Sequence, residues 1–375
     1  MPSTTQLPAA AQVPPGLSLA PPAPSGLRCD APHSVLALAE ANSPARRPLA
    51  RLTGVQILAT GSYAPPQVVR NEDLAEQGFD ADWILQRTGI RERRRAAADV
   101  ATSDLAFQAA QNCLEQAGAH ASEIDLIVVG TMTPDFPMPS TACRVQHLLG
   151  ASCPAFDVNA ACAGFAFALA TGMTFVATGS YARVLVIGAD TMTRVMNPAD
   201  RTTFPLFGDG AGAVLLGAGS TEQGFLSYAL GSDGSGGDLL VIPGGGTREP
   251  LTADGILAGR QYMQMEGRAV FKWAVRLLSE SIREMLAAAH ITAADLSLVV
   301  LHQANKRIID AAVADLGLDT QKVLVNLDRY GNTSAGSIPL ALDELHRHQP
   351  LRTGDHVLLL GFGAGLAWGG GVFKW

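Results

Sequence analysis

Ala155-Phe156-Asp157-Val158-Asn159-Ala160-Ala161-Cys162-Ala163-Gly164-Phe165 decides how this chain is read. An apolar strand over 155–159 runs into a turn of small residues, and a long apolar helix over 163–178 leaves it. That order places the Cys162 thiol at the start of a helix, where unpaired N–H groups and the helix dipole favour thiolate over thiol. A thiolate held there is a nucleophile suited to an acyl group. A buried structural cysteine fits the same residues, since free cysteine is among the most buried residue types.

On either side of this stretch, strands at 55–59, 125–130, 183–188 and 212–216 accompany helices over 103–117 and 141–149, with Ser103 as N-cap of the former. A further helix starts at Asn71-Glu72-Asp73. The second half repeats the order: helix 270–289, strand 296–301, helices 306–316 and 337–346, strands 356–361 and 370–373. Val128 matches Val299 at an offset of 171, and Val184 matches Val357 at an offset of 173. One loop insertion explains the drift. The pattern predicts an α/β fold of two duplicated halves packed in five layers; the alternative is that short apolar runs all look alike. The first half spans 52–225 and carries the cysteine, and the second spans 226–375. Residues 1–51 are rich in Pro, Ala and Ser and read as a disordered extension, with a weak targeting peptide as the alternative.

The chain has 375 residues, 47% of them hydrophobic and 16% charged, enough for a large core. A net charge of −7 and no basic stripe interleaved with aromatics argue against nucleic acid as a partner. No apolar run is long enough for a membrane-spanning helix. The five cysteines lack metal-type spacing and suggest no disulfide framework, which fits a reducing cytoplasm. The eight histidines show no ligand spacing, so no metal is expected. Gly208-Asp209-Gly210-Ala211-Gly212 lacks the dinucleotide fingerprint.

Two further motifs favour the nucleophile reading of Cys162. His302 stands at the carboxyl end of the strand at 296–301, where α/β sheets gather catalytic groups, and Gln303 and Asn305 make that exit unusually polar. Asn332 lies in the glycine-flanked loop Gly331-Asn332-Thr333-Ser334-Ala335-Gly336 before a helix. It is either a turn residue or an amide donor to a carbonyl oxygen. The segment Gly361-Phe362-Gly363-Ala364-Gly365 brings backbone N–H groups close to a ligand, or simply turns the chain between two buried strands.

Together these residues resemble the Cys-His-Asn triad of the β-ketoacyl-acyl-carrier-protein synthase III family of the thiolase superfamily. The likeness covers about 52–375 and runs through WILQRTGIRER (83–93), NAACAGF (159–165), FGDGAGA (207–213), HQANKRI (302–308), YGNTSAGS (330–337) and FGAGLAWGG (362–370). It implies a thiolase-like five-layered αβαβα fold. The terminal loop lacks the second cysteine of thiolases, and Asn332 replaces the second histidine of elongating ketoacyl synthases.

The resemblance implies a decarboxylating Claisen condensation of a short acyl-CoA, acetyl-CoA first, with malonyl-acyl-carrier protein, without cofactor. Cys162, His302 and Asn332 are then catalytic, and the backbone N–H groups of Cys162 and Ala364 hold the oxyanion, although the family often has glycine where Ala364 stands. Trp83, Arg87, Thr88 and Arg201 match CoA-binding positions, and Phe271 and Asn305 match residues of the pantetheine tunnel. Lys272, Gln303, Lys306 and Arg307 match the carrier-protein rim, whereas the run Arg91-Glu92-Arg93-Arg94-Arg95 reads as a solvated face. Met138 matches the position that closes the acyl pocket across the family's homodimer interface. Two other functions keep the same residues: an acyltransferase or condensing enzyme of specialised, polyketide-like metabolism, and a non-catalytic thioester-binding partner protein.

Overall fold

Period-two alternation in the buried strands sets the layers of this protein, seen in a computed structural model that describes residues 49–375. In chain order the first half supplies β1 (Ala50–Thr53), β2 (Val55–Tyr63), β3 (Gln67–Arg70), β4 (Glu92–Arg95), β5 (Leu126–Gly130), β6 (Ala155–Val158), β7 (Val184–Thr191) and β8 (Asp209–Ala218). The rest are β9 (Gly224–Ser232), β10 (Leu240–Val241), β11 (Gln264–Met265), β12 (Leu298–Leu301), β13 (His356–Gly363) and β14 (Ala367–Lys374). One five-stranded sheet has the order β2-β8-β7-β5-β6 and the other β1-β9-β14-β13-β12; β3-β4 and β10-β11 are separate pairs.

The helices are α1 (Ala81–Thr88), α2 (Thr102–Ala117), α3 (Thr141–Leu149), α4 (Gly164–Ala177), α5 (Ala253–Leu257), α6 (Gly267–Ala289), α7 (Lys306–Leu316), α8 (Leu327–Tyr330) and α9 (Ser337–His348). On β5, Leu126 and Val128 face the centre with Phe165 and Leu169 of α4 and Ile338 of α9. Ile127 and Val129 face outward onto Leu105 and Ala109 of α2 and Val145 of α3. On the second sheet Val299 and Leu301 face Leu278 and Ile282 of α6 and Ile308 of α7. The result is the five-layered αβαβα arrangement that the duplication predicts.

Strand register corrects the alignment of the halves by one residue. Leu126 lies opposite Val184, and Leu298 lies opposite Val357, so Leu126 corresponds to Leu298 and Val128 to Val300. Val128 and Val300 both face the central layer, whereas Val299 faces outward. A one-residue slip reverses the face of every side chain, which a string of valines does not reveal. The counterpart of β6 is reduced to a single parallel bridge between Val299 and Val323.

The sequence boundaries need other adjustments. Ala50 and Arg51, placed in the extension, belong to β1, which pairs with β9 in the second sheet; the extension before residue 49 lies outside the described residues. The boundary at 225/226 falls inside β9. Helix α2 starts at Thr102, and Ser103 is not its N-cap. Instead the Asp135 carboxylate accepts the Ser103 backbone N–H at 2.9 Å and its hydroxyl at 2.6 Å, a cap delivered from a distant loop. The run 91–95 is not a solvated face throughout, because in β4 Arg93 turns inward and is 3% exposed. Its guanidinium donates to Val69 O, Asn71 Oδ1 and Pro205 O, which makes burial of the charge tolerable. Among the described residues no helix is long and apolar enough to cross a membrane.

Candidate active site

Strand β6 ends at Val158, and Asp157 on it ties down the next layer by accepting the N–H groups of Thr141 and Ala142, both at 2.7 Å. The chain then turns through Ala161, whose φ of 47° is left-handed and costly for a residue with a Cβ. The Ala161 N–H donates to Asn159 Oδ1 at 3.2 Å, which supports that turn. A single 3₁₀ turn, Ala161–Ala163, carries Cys162 into α4. Gly363 must be glycine here, because a Cβ on it would lie 2.9 Å from Cys162 Cβ and 2.8 Å from Cys162 N. Likewise a Cβ on Gly188 would meet Ala335 O at 2.2 Å, so bare strand backbone lets the 334–336 turn dock beside α4.

His302 follows β12 and is 1% exposed. Its backbone N–H donates to Leu360 O at 2.9 Å, and its Nδ1 lies 2.7 Å from Ser337 Oγ. The ring meets Phe362 edge to face at 5.1 Å. Asn332 is held by its backbone, its N–H donating to Leu206 O at 2.9 Å and its carbonyl accepting the Gly208 N–H at 3.0 Å. Its side-chain Oδ1 accepts the Ser334 N–H at 2.8 Å, which leaves the amide Nδ2 as the free end. Arg93 fixes the neighbouring Pro205 carbonyl and so braces the strip on which Asn332 hangs.

These three side chains meet in one cavity of about 100 Å3, walled mainly by apolar groups such as Met132, Leu206, Met263, Val270 and Phe362. Phe271, Asn305 and Ala364 also line it, as the resemblance implies. The methionines and leucines of this wall are not legible in the sequence, because they come from separate segments with no motif among them. The other expected contacts lie elsewhere. Trp83 is 44% exposed on α1, and Met138 is 83% exposed. Arg201 reaches the surface beside Gly78. Arg87 lies in the last turn of α1, and its carbonyl accepts Asn305 Nδ2 at 3.1 Å, joining α1 to the start of α7. Lys272 is exposed, Lys306 pairs with Asp310 at 2.7 Å, and the Arg307 guanidinium lies 5.5 Å from the centre of the Phe271 ring.

Two assignments are corrected. Gln303 is 1% exposed; its Nε2 donates to Leu301 O and Leu324 O and its Oε1 accepts the Asn326 N–H, so it is a core clamp and not part of a docking rim. Thr88 is 2% exposed and spends its hydroxyl on Ile84 O at 2.6 Å and the Ile90 N–H at 3.0 Å, so it finishes α1 and has no hydroxyl to offer CoA.

The electrostatics also differ from the helix-start expectation. Burial pushes the Cys162 thiol up to about 12, with the nearby Asp190 carboxylate adding to the rise and Ser334 opposing it. Desolvation of the charged form thus outweighs the dipole of α4 at this position. The Ser334 hydroxyl that opposes the rise is itself buried without a partner at hydrogen-bonding geometry. Asp190 is fully buried; its Oδ1 accepts Thr131 Oγ1, Met132 N–H, Thr133 N–H and Thr133 Oγ1, and its Oδ2 accepts the Ala335 N–H at 3.0 Å. It clamps the loop after β5 to the Asn332 segment. Burial alone lowers His302 to about 3, so the imidazole is neutral.

Fold and cavity define a thiolase-like α/β protein with a cysteine, a neutral histidine and an asparagine lining one cavity. Residues 156–234 match the family described as 3-oxoacyl-[acyl-carrier-protein (ACP)] synthase III, and residues 286–375 match its C-terminal counterpart. The chain is 55% identical over 345 residues to a beta-ketoacyl-[acyl-carrier-protein] synthase III of Rhodopirellula baltica, a match covering 87% of this chain and 100% of the relative. The 3-oxoacyl-[acyl-carrier-protein] synthase III of Aquifex aeolicus superposes with a TM-score of 0.79 at 40% identity, covering 86% of this chain and all of that one. The priming beta-ketosynthase of the R1128 polyketide pathway gives 0.79 at 36% identity, covering 88% and 98%. The chain belongs to the beta-ketoacyl-acyl-carrier-protein synthase III family.

Proposed function

We propose that this protein condenses a short-chain acyl-CoA with malonyl-acyl-carrier protein, losing carbon dioxide and giving a 3-oxoacyl-carrier protein that starts fatty acid synthesis. The observation that carries the reading is the convergence of Cys162, His302 and Asn332, from three separate strand ends and loops, on one cavity. Cys162 attacks the acyl-CoA thioester, forming an S-acyl bond and releasing CoA as the thiol. The Cys162 and Ala364 backbone N–H groups hold the tetrahedral oxyanion, each donor contributing about 3 kcal/mol. Burial keeps the resting thiol protonated, and the thiol proton leaves with the departing CoA sulfur. His302 and Asn332 donate hydrogen bonds to the malonyl thioester carbonyl, whose oxygen becomes an enolate as the carboxylate leaves. The enolate carbon then attacks the acyl group and frees Cys162. No cofactor takes part.

The exposed Trp83, Arg87 and Arg201 are the contacts proposed for CoA, by stacking and by phosphate pairing. Lys272, Lys306 and Arg307, without Gln303, form the rim proposed for the acidic carrier protein. Met138 and Phe136, 83% and 52% exposed, are apolar surface suited to a second copy of the chain. The test is intact-protein mass measurement after brief exposure to acetyl-CoA. One acetyl group on the wild type and none on Cys162→Ala supports the reading, and no adduct with any acyl-CoA overturns it. The likeness to a priming ketosynthase keeps a second reading in view, in which the acceptor belongs to specialised metabolism. Comparing malonyl-carrier protein with small-molecule acceptors separates the two.

A further inference from the structure

Ser337 opens α9 in the central layer, 35 residues from His302 in sequence. Both side chains are buried, at 2% and 1% exposed. Ser337 Oγ lies 2.7 Å from His302 Nδ1 and also accepts the backbone N–H of Gln303 at 3.5 Å. A hydroxyl has one hydrogen to give and two lone pairs to receive. If Nδ1 carried the imidazole proton, Oγ would receive two N–H donors and its own hydrogen would be left in the core with no acceptor. That is the costly case for a buried polar group. If Ser337 donates to Nδ1, every polar atom of the trio is served.

We infer that Ser337 is a positioning residue that locks His302 in its Nε2–H tautomer. Nδ1 is then occupied by Ser337, and Nε2–H is the polar atom the ring has left for the cavity it lines. Asn332 is set in the same sense, because its Oδ1 is held by the Ser334 N–H and its Nδ2 is free to donate. The site thus presents two preset donors, suited to an enolate oxygen, and no imidazole lone pair for taking the Cys162 proton. Burial, which keeps the ring neutral, agrees with this division. The consequence rests on the catalytic roles proposed above: Ser337 serves the decarboxylation and condensation half-reaction and not the acylation half-reaction.

The experiment is nitrogen NMR of the full chain labelled at histidine, with His302→Gln identifying the resonances. The expected wild-type spectrum shows a protonated Nε2 and an unprotonated, hydrogen-bonded Nδ1. Ser337→Ala removes the Nδ1 hydrogen bond and lowers condensation with malonyl-carrier protein by about tenfold, part of the ~100-fold that a lost oxyanion donor costs. Acylation by acetyl-CoA is unchanged, and Ser337→Thr, which keeps the hydroxyl, restores both spectrum and rate. A protonated Nδ1 in the wild type overturns the inference, as does an equal fall in both half-reactions or no change in either. The wild-type spectrum decides the matter even if the alanine variant does not fold. Failure of Cys162 to accept an acyl group would refute the proposed function and leave the tautomer result standing.

Discussion

Gly363→Ala places one methyl group against the nucleophile. Its Cβ would lie 2.9 Å from Cys162 Cβ and 2.8 Å from Cys162 N. Carbon atoms in ordinary contact are ~3.5–4.0 Å apart, so the two segments must separate by about 0.5–1 Å. Neither gives easily: Gly363 is paired with Ala367 across β13 and β14, and Cys162 is fixed to the start of α4. The backbone of Gly363 is not left-handed, so the cost is steric and not torsional. Overpacking of this kind costs about 1–3 kcal/mol of stability. A reacting atom displaced by about 1 Å loses ~100-fold in rate. Quenched-flow acylation with acetyl-CoA, read by intact mass, is therefore expected to slow about 100-fold while the thermal melt stays cooperative. Gly234→Ala is the control, since nothing lies within 4 Å of a Cβ there. Acylation of Gly363→Ala at the wild-type rate would refute the argument that this contact holds Cys162 in place.

Other outcomes follow from the same structure. His302 titrates at about 6.5 when unfolded and at about 3 when folded, so below about pH 6.5 the unfolded chain takes up a proton that the folded one refuses. Wild type should lose about 2 kcal/mol more stability than His302→Gln between about pH 6.5 and pH 5, measured by urea unfolding; parallel curves would show that the ring is accessible to protons. Arg307→Glu should weaken condensation with malonyl-carrier protein about tenfold, more at low salt, and spare acylation by acyl-CoA, whereas equal losses would remove Arg307 from the docking rim. Met138→Asp should shift the chain toward monomer in sedimentation, since a charge on an apolar contact is expensive to bury; an unchanged mass would place Met138 outside any interface. Arg93→Met should cost a few kcal/mol in the melt, because the carbonyls of Val69 and Pro205 lose their buried donor.

The helix spans read from sequence that came closest were those with a local stop signal. The bounds of α3 and α7 coincide with expectation, each ending before a left-handed glycine, Gly150 and Gly317. The strand pairs β3-β4 and β10-β11 and the edge strand β1 were not read. They are short, and the partners that stabilise them are remote in sequence. Arg93, Gln303 and Thr88 show the same limit around the site. Each has a surface-type or ligand-type residue name, and each has its polar atoms consumed by groups from other segments or by its own helix end.

The chemistry that could occur is written in local sequence: a cysteine between strand and helix, a histidine at a strand end, an asparagine in a glycine loop, and a repeated α/β order that puts strand ends together. Those signals are local, because side-chain periodicity, turn glycines and helix starts act over a few residues. Long-range packing sets which valines face the central layer, raises the Cys162 thiol to about 12 by burial, and brings Ser337 rather than a carboxylate to His302 Nδ1. Desolvation and hydrogen-bond partnership sum over groups brought together from distant parts of the chain, and no window of sequence contains that sum.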